Sequence, residues 1–425
     1  MADENFIKFA NSFQAVAKLR LKGIERLLYH LDNPQEKLKF IHIAGTNGKG
    51  SVAAYLQCIL TDAGYKTGKY ISPNMISVCE RVSVDGENID EKELEKLLEK
   101  VRKAAILSEK ELLEYPTQFE IWTAAAFLYF LDKKCDIVVL ETGLGGTRDA
   151  TNIIPPPLAS VITHIALDHT QYLGNTLAEI AGEKAGIIKR PETGRGLTIT
   201  SLQDAEALKV LEKNAKDKNN DFIVAKKATP VSHDENGECF NYKHIENISS
   251  SMLGLHQLDN AALAIETVLR LNIPVEFIKS GIKKAKNIGR FEIISKNPLI
   301  VFDGAHNPDG MRALSDSLNR YFPEKSKDFL LASMEDKDIK HALCELDSVH
   351  NKKDFYTVSV KDNPRSMSSE ALCELVKNIG FNAYSSNGIG DALKKSTADM
   401  LVICGSLYLY KDFYEHLKND DLPNN

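Results

Sequence analysis

The sequence lacks the long apolar runs and the excess of basic charge that would direct a chain to membranes or nucleic acid. Its longest apolar runs, such as 137–140 and 401–404, are far shorter than the ~20 residues that span a bilayer, and its first residues lack the features of a signal peptide. Lys and Arg number 53 against 59 Asp and Glu, which gives a net charge of −6. No global basic field is therefore available to hold nucleic acid or an anionic membrane. We expect a cytoplasmic protein without nucleic-acid or membrane partners, in which any anionic ligand needs a local basic site.

The chain also lacks any C-x-x-C pair. Its 7 cysteines are scattered and odd in number, so the sequence suggests neither a disulfide framework nor a zinc site. The composition, with 43% hydrophobic and 26% charged residues, is that of an ordinary globular protein. A length of 425 residues favours two or three domains.

Short β-rich runs alternate with longer helical patterns, which predicts an α/β protein with a parallel sheet. The predicted strands are 39–44, 69–72, 135–141, 159–163, 299–303, 329–333, 355–360 and 400–405. The segment 51–64 carries one apolar helical face and ends at Gly64, as an amphipathic helix with a glycine cap does. The polar segments 214–221 and 233–238 predict surface loops.

Glycine and proline breaks between residues 287 and 298 precede a fresh series of strands and helices. That series is about 130 residues long, which is enough for a domain of its own. We therefore place a domain boundary near residue 295 and predict domains 1–294 and 295–425.

A glycine-rich loop lies between the first predicted strand and the helix that follows it. The loop consists of Gly45, Thr46, Asn47, Gly48, Lys49, Gly50 and Ser51. Glycines let backbone N–H groups turn toward phosphate oxygens, and the helix dipole favours an anion. Lys49 can neutralise the β and γ charges of a nucleotide, and Ser51 can offer its hydroxyl to Mg²⁺. The spacing departs from the general P-loop, with Ile43 at the first glycine position and Gly50 inserted before Ser51. A glycine-rich turn is the simpler alternative, but we predict nucleotide binding.

A second candidate is Glu141, which ends the strand 135–141 and precedes three glycines. Ligands of open α/β sheets collect at the carboxyl ends of strands, and Mg²⁺ prefers hard oxygen ligands beside substrate phosphates. Glu141 is therefore a candidate magnesium ligand, with a simple strand-capping role as the alternative. His164 and His169 follow the next strand, where a zinc site is the weaker alternative because no partners stand at known ligand spacing.

In the second predicted domain, Asp303 and His306 follow the strand 299–303. Taken alone, this stretch also suits a turn and a helix cap. The segment 351–354 matches the N-K-x-D guanine pattern, but it precedes a strand, so we interpret it as a solvated loop.

Together these motifs resemble the folylpolyglutamate synthase and dihydrofolate synthase family, which is related to the Mur ligases. The resemblance runs through residues 22–26, 33–35, 45–51, 72–73, 80–82, 118–120, 141–146, 149–152, 167–170, 183–186, 256–262, 289–291, 303–308 and 404–406. It implies an N-terminal P-loop NTPase-like domain with a parallel sheet and a smaller C-terminal Rossmann-like α/β domain, which close over the nucleotide. It also implies an amide ligase that depends on ATP and Mg²⁺. In that family ATP phosphorylates the carboxylate of a pterin substrate, and the amine of L-glutamate attacks the acyl phosphate.

The resemblance further implies roles for individual residues. The catalytic residues would be Lys49, Lys184 and His169, with Lys184 at the position of a carbamylated lysine. The magnesium ligands would be Ser51, Glu141 and His169. The nucleotide contacts, besides the glycine-rich loop, would be Asn260, Arg290, Asp303 and His306. The substrate side would hold Ser72, Phe119 and Asp149.

Asp149 lies in a stretch that resembles bifunctional bacterial members, which add glutamate to dihydropteroate as well as to reduced folates. A carboxylate can accept the adjacent N–H and amino groups of a pterin together. The alternative is that Asp149 caps its own turn. For the function of the protein as a whole, two alternatives to the folate ligase stay open. One is a Mur-type ligase with another carboxylate substrate, and the other is a switch that binds ATP without chemistry. We expect small-molecule substrates and a monomer.

Overall fold

The structure is a computed structural model that describes residues 21–419, and the chain divides into two compact units. Unit 1 holds the described residues up to Thr229 together with Asn241–Ile248 and Asp259–Ala285. Unit 2 holds Pro230–Phe240, Ser249–Leu258 and the described residues from Lys286 onward. The domain boundary near residue 295 lies inside unit 2 in this division and stays a prediction. Among the described residues, no helix combines the length and the apolar character needed to cross a bilayer.

Unit 1 is built on an eight-stranded sheet in the order β4-β3-β2-β5-β1-β6-β7-β8. Its strands are β1 (Phe40–Ala44), β2 (Thr67–Tyr70), β3 (Val82–Val84), β4 (Glu87–Asn88), β5 (Ile137–Glu141), β6 (Ala159–Ile162), β7 (Gly196–Thr200) and β8 (Asn220–Val224). The six strands β2, β5, β1, β6, β7 and β8 run parallel to one another. At one edge of this sheet, β3 pairs antiparallel with β2, and β4 pairs antiparallel with β3. The buried strands β5, β1 and β6 are therefore neighbours, and their carboxyl ends meet at one edge of the sheet.

Helices precede the sheet, connect its strands and follow the last of them. They are α1 (Lys22–Tyr29), α2 (Lys49–Asp62), α3 (Glu91–Leu112), α4 (Gln118–Asp132), α5 (Thr170–Leu173), α6 (Leu177–Lys184), α7 (Ala205–Asp217), α8 (Leu255–Arg270) and α9 (Val275–Lys284), of which α8 crosses the division between the units. Short 3₁₀ turns occupy Pro34–Lys37, Val78–Arg81, Ala150–Ile153 and Ala185–Ile187. Capping boxes begin α4 at Thr117 and α6 at Thr176, so each helix starts where its side chains satisfy the first backbone N–H groups. These starts fix where the residues of α4 and α6 lie.

A separate three-stranded sheet consists of β9 (Thr229–Asp234), β10 (Gly237–Tyr242) and β11 (Ile245–Ser250). The loop predictions for 214–221 and 233–238 hold only for the turns at 218–219 and 235–236, because these segments also contain the end of α7, the start of β8, the end of β9 and the start of β10. Every residue of β9 is exposed, so the strand lacks the alternation of apolar and polar residues by which strands are recognised.

Unit 2 is built on a six-stranded sheet in the order β12-β13-β17-β14-β15-β16. Its strands are β12 (Glu292–Lys296), β13 (Leu299–Phe302), β14 (Lys327–Leu331), β15 (Lys352–Thr357), β16 (Ala383–Ser385) and β17 (Met400–Cys404). Its helices are α10 (Pro308–Tyr321), α11 (Ile339–Cys344), α12 (Ser369–Ile379), α13 (Ile389–Lys395) and α14 (Leu409–Asn419), with a 3₁₀ turn at Glu345–Ser348. Only β12 is antiparallel. The α/β prediction is confirmed for both units.

Candidate active site

The glycine-rich loop joins the buried strand β1 to the start of α2. Gly48 is the N-cap residue and has φ +91°, a left-handed conformation that favours glycine. A Cβ atom at Gly48 would collide with the side chain of Asn260, and one at Gly45 would collide with the side chain of Thr163. The loop is therefore confined on two sides. Its confinement also places Asn260, a predicted nucleotide contact, directly against it.

The loop is also held by the segment that follows β6. The backbone N–H groups of Thr46 and Asn47 donate to the carbonyl oxygen of His164 at 2.8 and 3.3 Å. The Thr46 hydroxyl donates to the carbonyl of Ala166 at 3.0 Å and accepts its N–H at 3.1 Å. These bonds fix the conformation of the loop at the edge where β1 and β6 end.

Two lysines converge on one carbonyl oxygen of this loop. The Nζ atom of Lys49 donates to Gly45 at 3.0 Å and to Thr46 at 3.2 Å, and the Nζ atom of Lys184, at the end of α6, donates to Gly45 at 2.8 Å. Lys184 is only 3% exposed. Burial, and then the positive charge of Lys49, lower the pKa of Lys184 to about 7. A buried amine that is partly neutral near pH 7 thus lies beside the loop.

The three predicted magnesium ligands follow neighbouring strands. Ser51 lies in the first turn of α2 and is buried. Glu141 ends β5 opposite Ile43 of β1, and its Oε2 accepts the backbone N–H of Ser72 at 3.4 Å. His169 follows β6, has φ +50° and begins the short helix α5, and its N–H donates to Asp168 at 2.8 Å. All three therefore belong to the carboxyl edge formed by β5, β1 and β6.

No cluster of three or more His, Cys, Asp and Glu residues in residues 21–419 is suited to hold a metal. The predicted set contains two residues of these types and one hydroxyl. Mg²⁺ is usually bound by one or two carboxylates, with phosphate oxygens and water completing its octahedron. The buried Glu141 carboxylate and the Ser51 hydroxyl fit that chemistry, so the donor set suits a cation that arrives with a phosphate ligand.

Two of the predicted substrate-side residues lie near the end of β5. Ser72 is hydrogen-bonded to Glu141, as described above. The ring of Phe119, in the first turn of α4, packs so closely on Gly143 that a Cβ atom there would overlap it. The Phe119 and Tyr70 ring centroids are 6.0 Å apart. An aromatic face and the Glu141 carboxylate are thus found on the same stretch of the edge.

Asp149 is 3% exposed, and its carboxylate is bonded within its own loop. Its Oδ1 accepts the N–H of Thr151 at 3.0 Å and the Thr151 hydroxyl at 2.6 Å, and its Oδ2 accepts the N–H of Leu144 at 2.8 Å. Burial raises the pKa of Asp149, and these hydrogen bonds oppose the rise. This geometry favours the turn-capping alternative, and a pterin contact at Asp149 stays a prediction that would require these bonds to rearrange.

Sequence reasoning missed the residue behind Asp149. His42 lies in the middle of β1 with no exposed surface, and its Nε2 is 2.8 Å from the Thr151 hydroxyl. Lys189 donates to the carbonyl oxygens of Asn152, at 2.6 Å, and Ile154. The sequence did contain a signal for His42, because it is the one polar residue in the apolar run of β1. A buried polar side chain usually has a hydrogen-bond partner, so a partner for this histidine could have been expected.

The remaining predicted nucleotide contacts form a cluster within unit 2. The Asp303 carboxylate accepts the N–H groups of Phe291 and Ala305, each at 2.7 Å. Burial raises the pKa of Asp303, and the nearby charge of Arg290 opposes that effect. His306 Nδ1 lies 2.7 Å from the carbonyl oxygen of Gly304, which identifies Nδ1 as the protonated nitrogen. Arg290, Asp303 and His306 are therefore brought together at the carboxyl end of β13.

Comparison with known proteins identifies both halves of the chain. Residues 43–268 match the family described as Mur ligase middle domain, and residues 289–407 match the family described as Mur ligase, glutamate ligase domain. The chain is 35% identical over 418 residues to the dihydrofolate synthase/folylpolyglutamate synthase of Bacillus subtilis, an alignment that covers 94% of this chain and 95% of the relative.

Two solved structures have the same fold. A Mycobacterium tuberculosis folylpolyglutamate synthase complexed with ADP and AMPPCP has a TM-score of 0.89 and 26% identity, with 98% of each chain covered. E. coli FolC in complex with DHPP and ADP has a TM-score of 0.85 and 27% identity, with 98% of this chain and 97% of that chain covered. The order of motifs, the fold and these matches agree, and the chain belongs to the folylpolyglutamate synthase and dihydrofolate synthase family of ATP-dependent Mur ligases.

Proposed function

We propose that this chain uses ATP to join L-glutamate to the carboxylate of dihydropteroate and of reduced folates. The observation that carries the proposal is the pair of lysines that meet at the glycine-rich loop before α2, where Lys49 and the buried Lys184 both donate to the Gly45 carbonyl. Relatives that cover nearly the whole chain are named for these two activities. The relative FolC was solved with DHPP and ADP, which supports a pterin and a nucleotide as ligands.

The reaction requires activation of a carboxylate, which is a poor electrophile. Its oxygen attacks the γ-phosphorus of ATP, the bond to ADP breaks, and an acyl phosphate forms. The glutamate amine then attacks the carbonyl carbon, loses a proton and expels inorganic phosphate. The loop N–H groups and the start of α2 would hold the nucleotide phosphates, and Lys49 would neutralise the charge that develops during transfer.

Ser51 and Glu141, with His169, would hold Mg²⁺. The bound ion supplies charge neutralisation on the phosphates. In the protein itself, Glu141 also fixes the backbone of Ser72, which links the proposed metal ligand to the substrate side.

Lys184 is proposed as the site of carbamylation. Its buried amine has a pKa of about 7, so an appreciable fraction is neutral at physiological pH. The neutral nitrogen can form a bond to the carbon of CO₂ and release one proton, which leaves a carbamate with one negative charge. Incubation with ¹³C-bicarbonate is expected to give a carbamate NMR signal that is absent in Lys184→Met; a signal unchanged in that variant would assign the carbamate elsewhere.

We assign nucleotide contacts to Asn260, Arg290, Asp303 and His306. We assign the substrate side to Ser72, Phe119 and Asp149, with Phe119 offering an aromatic face to the pterin. We further propose a monomer that acts in the cytoplasm. Analytical ultracentrifugation is expected to give the mass of one chain.

The central test measures ADP release by the purified chain with ATP, Mg²⁺ and L-glutamate. Dihydropteroate, tetrahydrofolate and a muramoyl-peptide substrate of Mur ligases are compared, and mass spectrometry identifies the products. We expect glutamate-dependent ADP release with both pterins and a product that gains one glutamate residue. Turnover only with the muramoyl peptide would show another Mur-type ligase, and the absence of any glutamate-dependent ADP release would refute ligase activity.

A further inference from the structure

A buried hydrogen-bond relay connects the central strand of unit 1 to the loop that follows β5. We call residues 142–153 the Asp149 loop; it ends in the 3₁₀ turn Ala150–Ile153. His42, in β1, lies between Leu140 of β5 and Ser160 of β6 in the sheet register. From this position its Nε2 reaches the Thr151 hydroxyl, which in turn contacts the Asp149 carboxylate.

The geometry determines the direction of each hydrogen bond. The Thr151 hydroxyl has one proton, and at 2.6 Å from Asp149 Oδ1 it donates that proton to the carboxylate. Thr151 must then accept from His42, so the His42 proton resides on Nε2. Within residues 21–419 the Nδ1 atom of His42 has no hydrogen-bond partner, which suits a bare lone pair better than a buried N–H group.

The charge state of His42 agrees with this assignment. Complete burial, together with the positive charge of Lys189, lowers the pKa of His42 to about 3. The ring is therefore neutral at the pH at which the enzyme works and carries a single proton. His42 is thus a fixed donor, and the relay runs in one direction from His42 through Thr151 to Asp149.

The Asp149 loop connects two parts of the candidate active site. Its Gly143 contacts the ring of Phe119. Its Thr147 donates its N–H, at 2.8 Å, and its hydroxyl, at 3.1 Å, to the carbonyl of Glu183, the residue before Lys184. Asn152 donates to the carbonyl of Gly186 at 3.1 Å. A shift of this loop would therefore move both the substrate-side aromatic ring and the segment that carries Lys184.

We propose that His42 is a positioning residue that acts through Thr151 and Asp149 to hold the Asp149 loop in the conformation that receives the pterin substrate. The inference rests on the proposed function. It adds a structural role for Asp149 on the substrate side, in which the carboxylate holds the loop through its bonds to Thr151 and Leu144. The glycine-rich loop has its own bonds to residues 164 and 166, and its Gly45 carbonyl also accepts from Lys49, so a shift of Lys184 should change nucleotide affinity little.

Thr151→Val removes the hydroxyl at nearly constant volume, and Thr151→Ser retains it. We expect Thr151→Val to raise the KM for dihydropteroate about tenfold, the effect of losing a hydrogen bond to a charged group, with ADP affinity within twofold of the parent by calorimetry. Thr151→Ser is expected to restore the parental KM. The control Thr267→Val removes another buried hydroxyl, which donates to the Leu263 carbonyl at 2.8 Å, and is expected to leave the KM for dihydropteroate unchanged.

Two readouts test the relay without turnover. Nitrogen-15 NMR of the histidine rings, with His42→Gln to assign the signal, is expected to show a neutral ring protonated at Nε2. Amide hydrogen exchange is expected to quicken in the Asp149 loop of Thr151→Val while residues 45–51 keep their rates. A ring protonated at Nδ1, or unchanged exchange in the loop, would refute the relay. Faster exchange with an unchanged KM would refute its role in substrate positioning. A parent that turns over no pterin would overturn the proposed function, and with it the substrate role, while NMR and exchange still decide whether the relay exists.

Discussion

Replacing Lys184 with Met should make the protein more stable at mildly acidic pH and at the same time inactive. Lys184 is buried beside a second ammonium group, that of Lys49, and within residues 21–419 no carboxylate accepts a hydrogen bond from it. Methionine has a similar length and no charge. The Gly45 carbonyl that Lys184 binds keeps its hydrogen bond from Lys49, so the substitution does not leave a buried acceptor without a donor.

The magnitude follows from the pKa. Lowering the pKa of Lys184 from 10.5 to about 7 corresponds to about 5 kcal/mol of unfavourable free energy for the buried ammonium form, at about 1.4 kcal/mol per pH unit. This is an upper bound, because Lys184→Met also loses a charge-assisted hydrogen bond. Between pH 7 and 10.5 the unfolded lysine binds a proton that the folded lysine has released, so stability rises with pH in this window. Below pH 7 both states are protonated, and the full cost remains.

Urea unfolding of the parent and of Lys184→Met, measured from pH 6 to pH 9 without bicarbonate, tests this reasoning. We expect the variant to gain about 2 kcal/mol or more at pH 6, and we expect the gain to shrink as the pH rises. Adding bicarbonate should stabilise the parent alone. ADP release by the variant should be undetectable if the proposed role of Lys184 is right. A variant less stable than the parent at pH 6 would refute the argument, since it would mean that the bond to Gly45 outweighs the cost of burying the charge.

Three further predictions concern the same edge of the sheet. Lys49→Ala should lower kcat by about 10²-fold or more while circular dichroism stays parental, because it removes one preorganised charge from phosphoryl transfer; turnover within a few-fold of the parent would contradict this. Gly48→Ala should lower the free energy of unfolding by about 1–2 kcal/mol, because alanine disfavours a φ of +91° and its methyl group would meet Asn260. Denaturant titration measures this loss, and the control Gly64→Ala, also at positive φ but with open space around it, isolates the steric part. Asp149→Ala should cost about 1–2 kcal/mol in thermal stability through the lost cap, and dihydropteroate kinetics that stay parental in this variant would leave Asp149 without any role in substrate binding.

The fold was predictable where the sequence pattern is local. The run of β1 is fully buried in the structure and was recognised from its apolar residues, and the Gly64 cap follows the end of α2 as expected. The rule that ligand-binding residues collect at the carboxyl ends of parallel strands predicted Glu141 and the glycine-rich loop on one side of the sheet. The structure has them there, because β5 and β1 pair in parallel from Phe40 to Ile43. The polar hairpin of β9 and β10 was missed, because an exposed strand has no apolar face to recognise.

The site was less predictable, because its decisive contacts join residues far apart in the chain. Lys184 and Gly45 are hydrogen-bonded across 139 positions, and His42 and Thr151 across 109. Neither spacing leaves a periodic trace in the sequence. The lowered pKa of Lys184 is likewise a property of burial and of the neighbouring Lys49, so it could not be deduced from the residue type. The sequence therefore identified the chemical groups of the site, whereas their contacts became known only from the structure.

Two buried groups of unit 1, His42 and Lys184, differ in what they contribute to folding. His42 is neutral, its Nε2–H has an acceptor, and only its Nδ1 lone pair lacks a partner within residues 21–419, so its burial is compatible with a stable fold. Lys184 is buried next to a like charge, and its ammonium form opposes folding. A fold retains such a group when function requires it, because substitutions that remove the cost are easily found. The contrast makes Lys184 the residue whose replacement should separate stability from activity, whereas replacement of His42 should weaken the hold on the Asp149 loop and with it the binding of substrate.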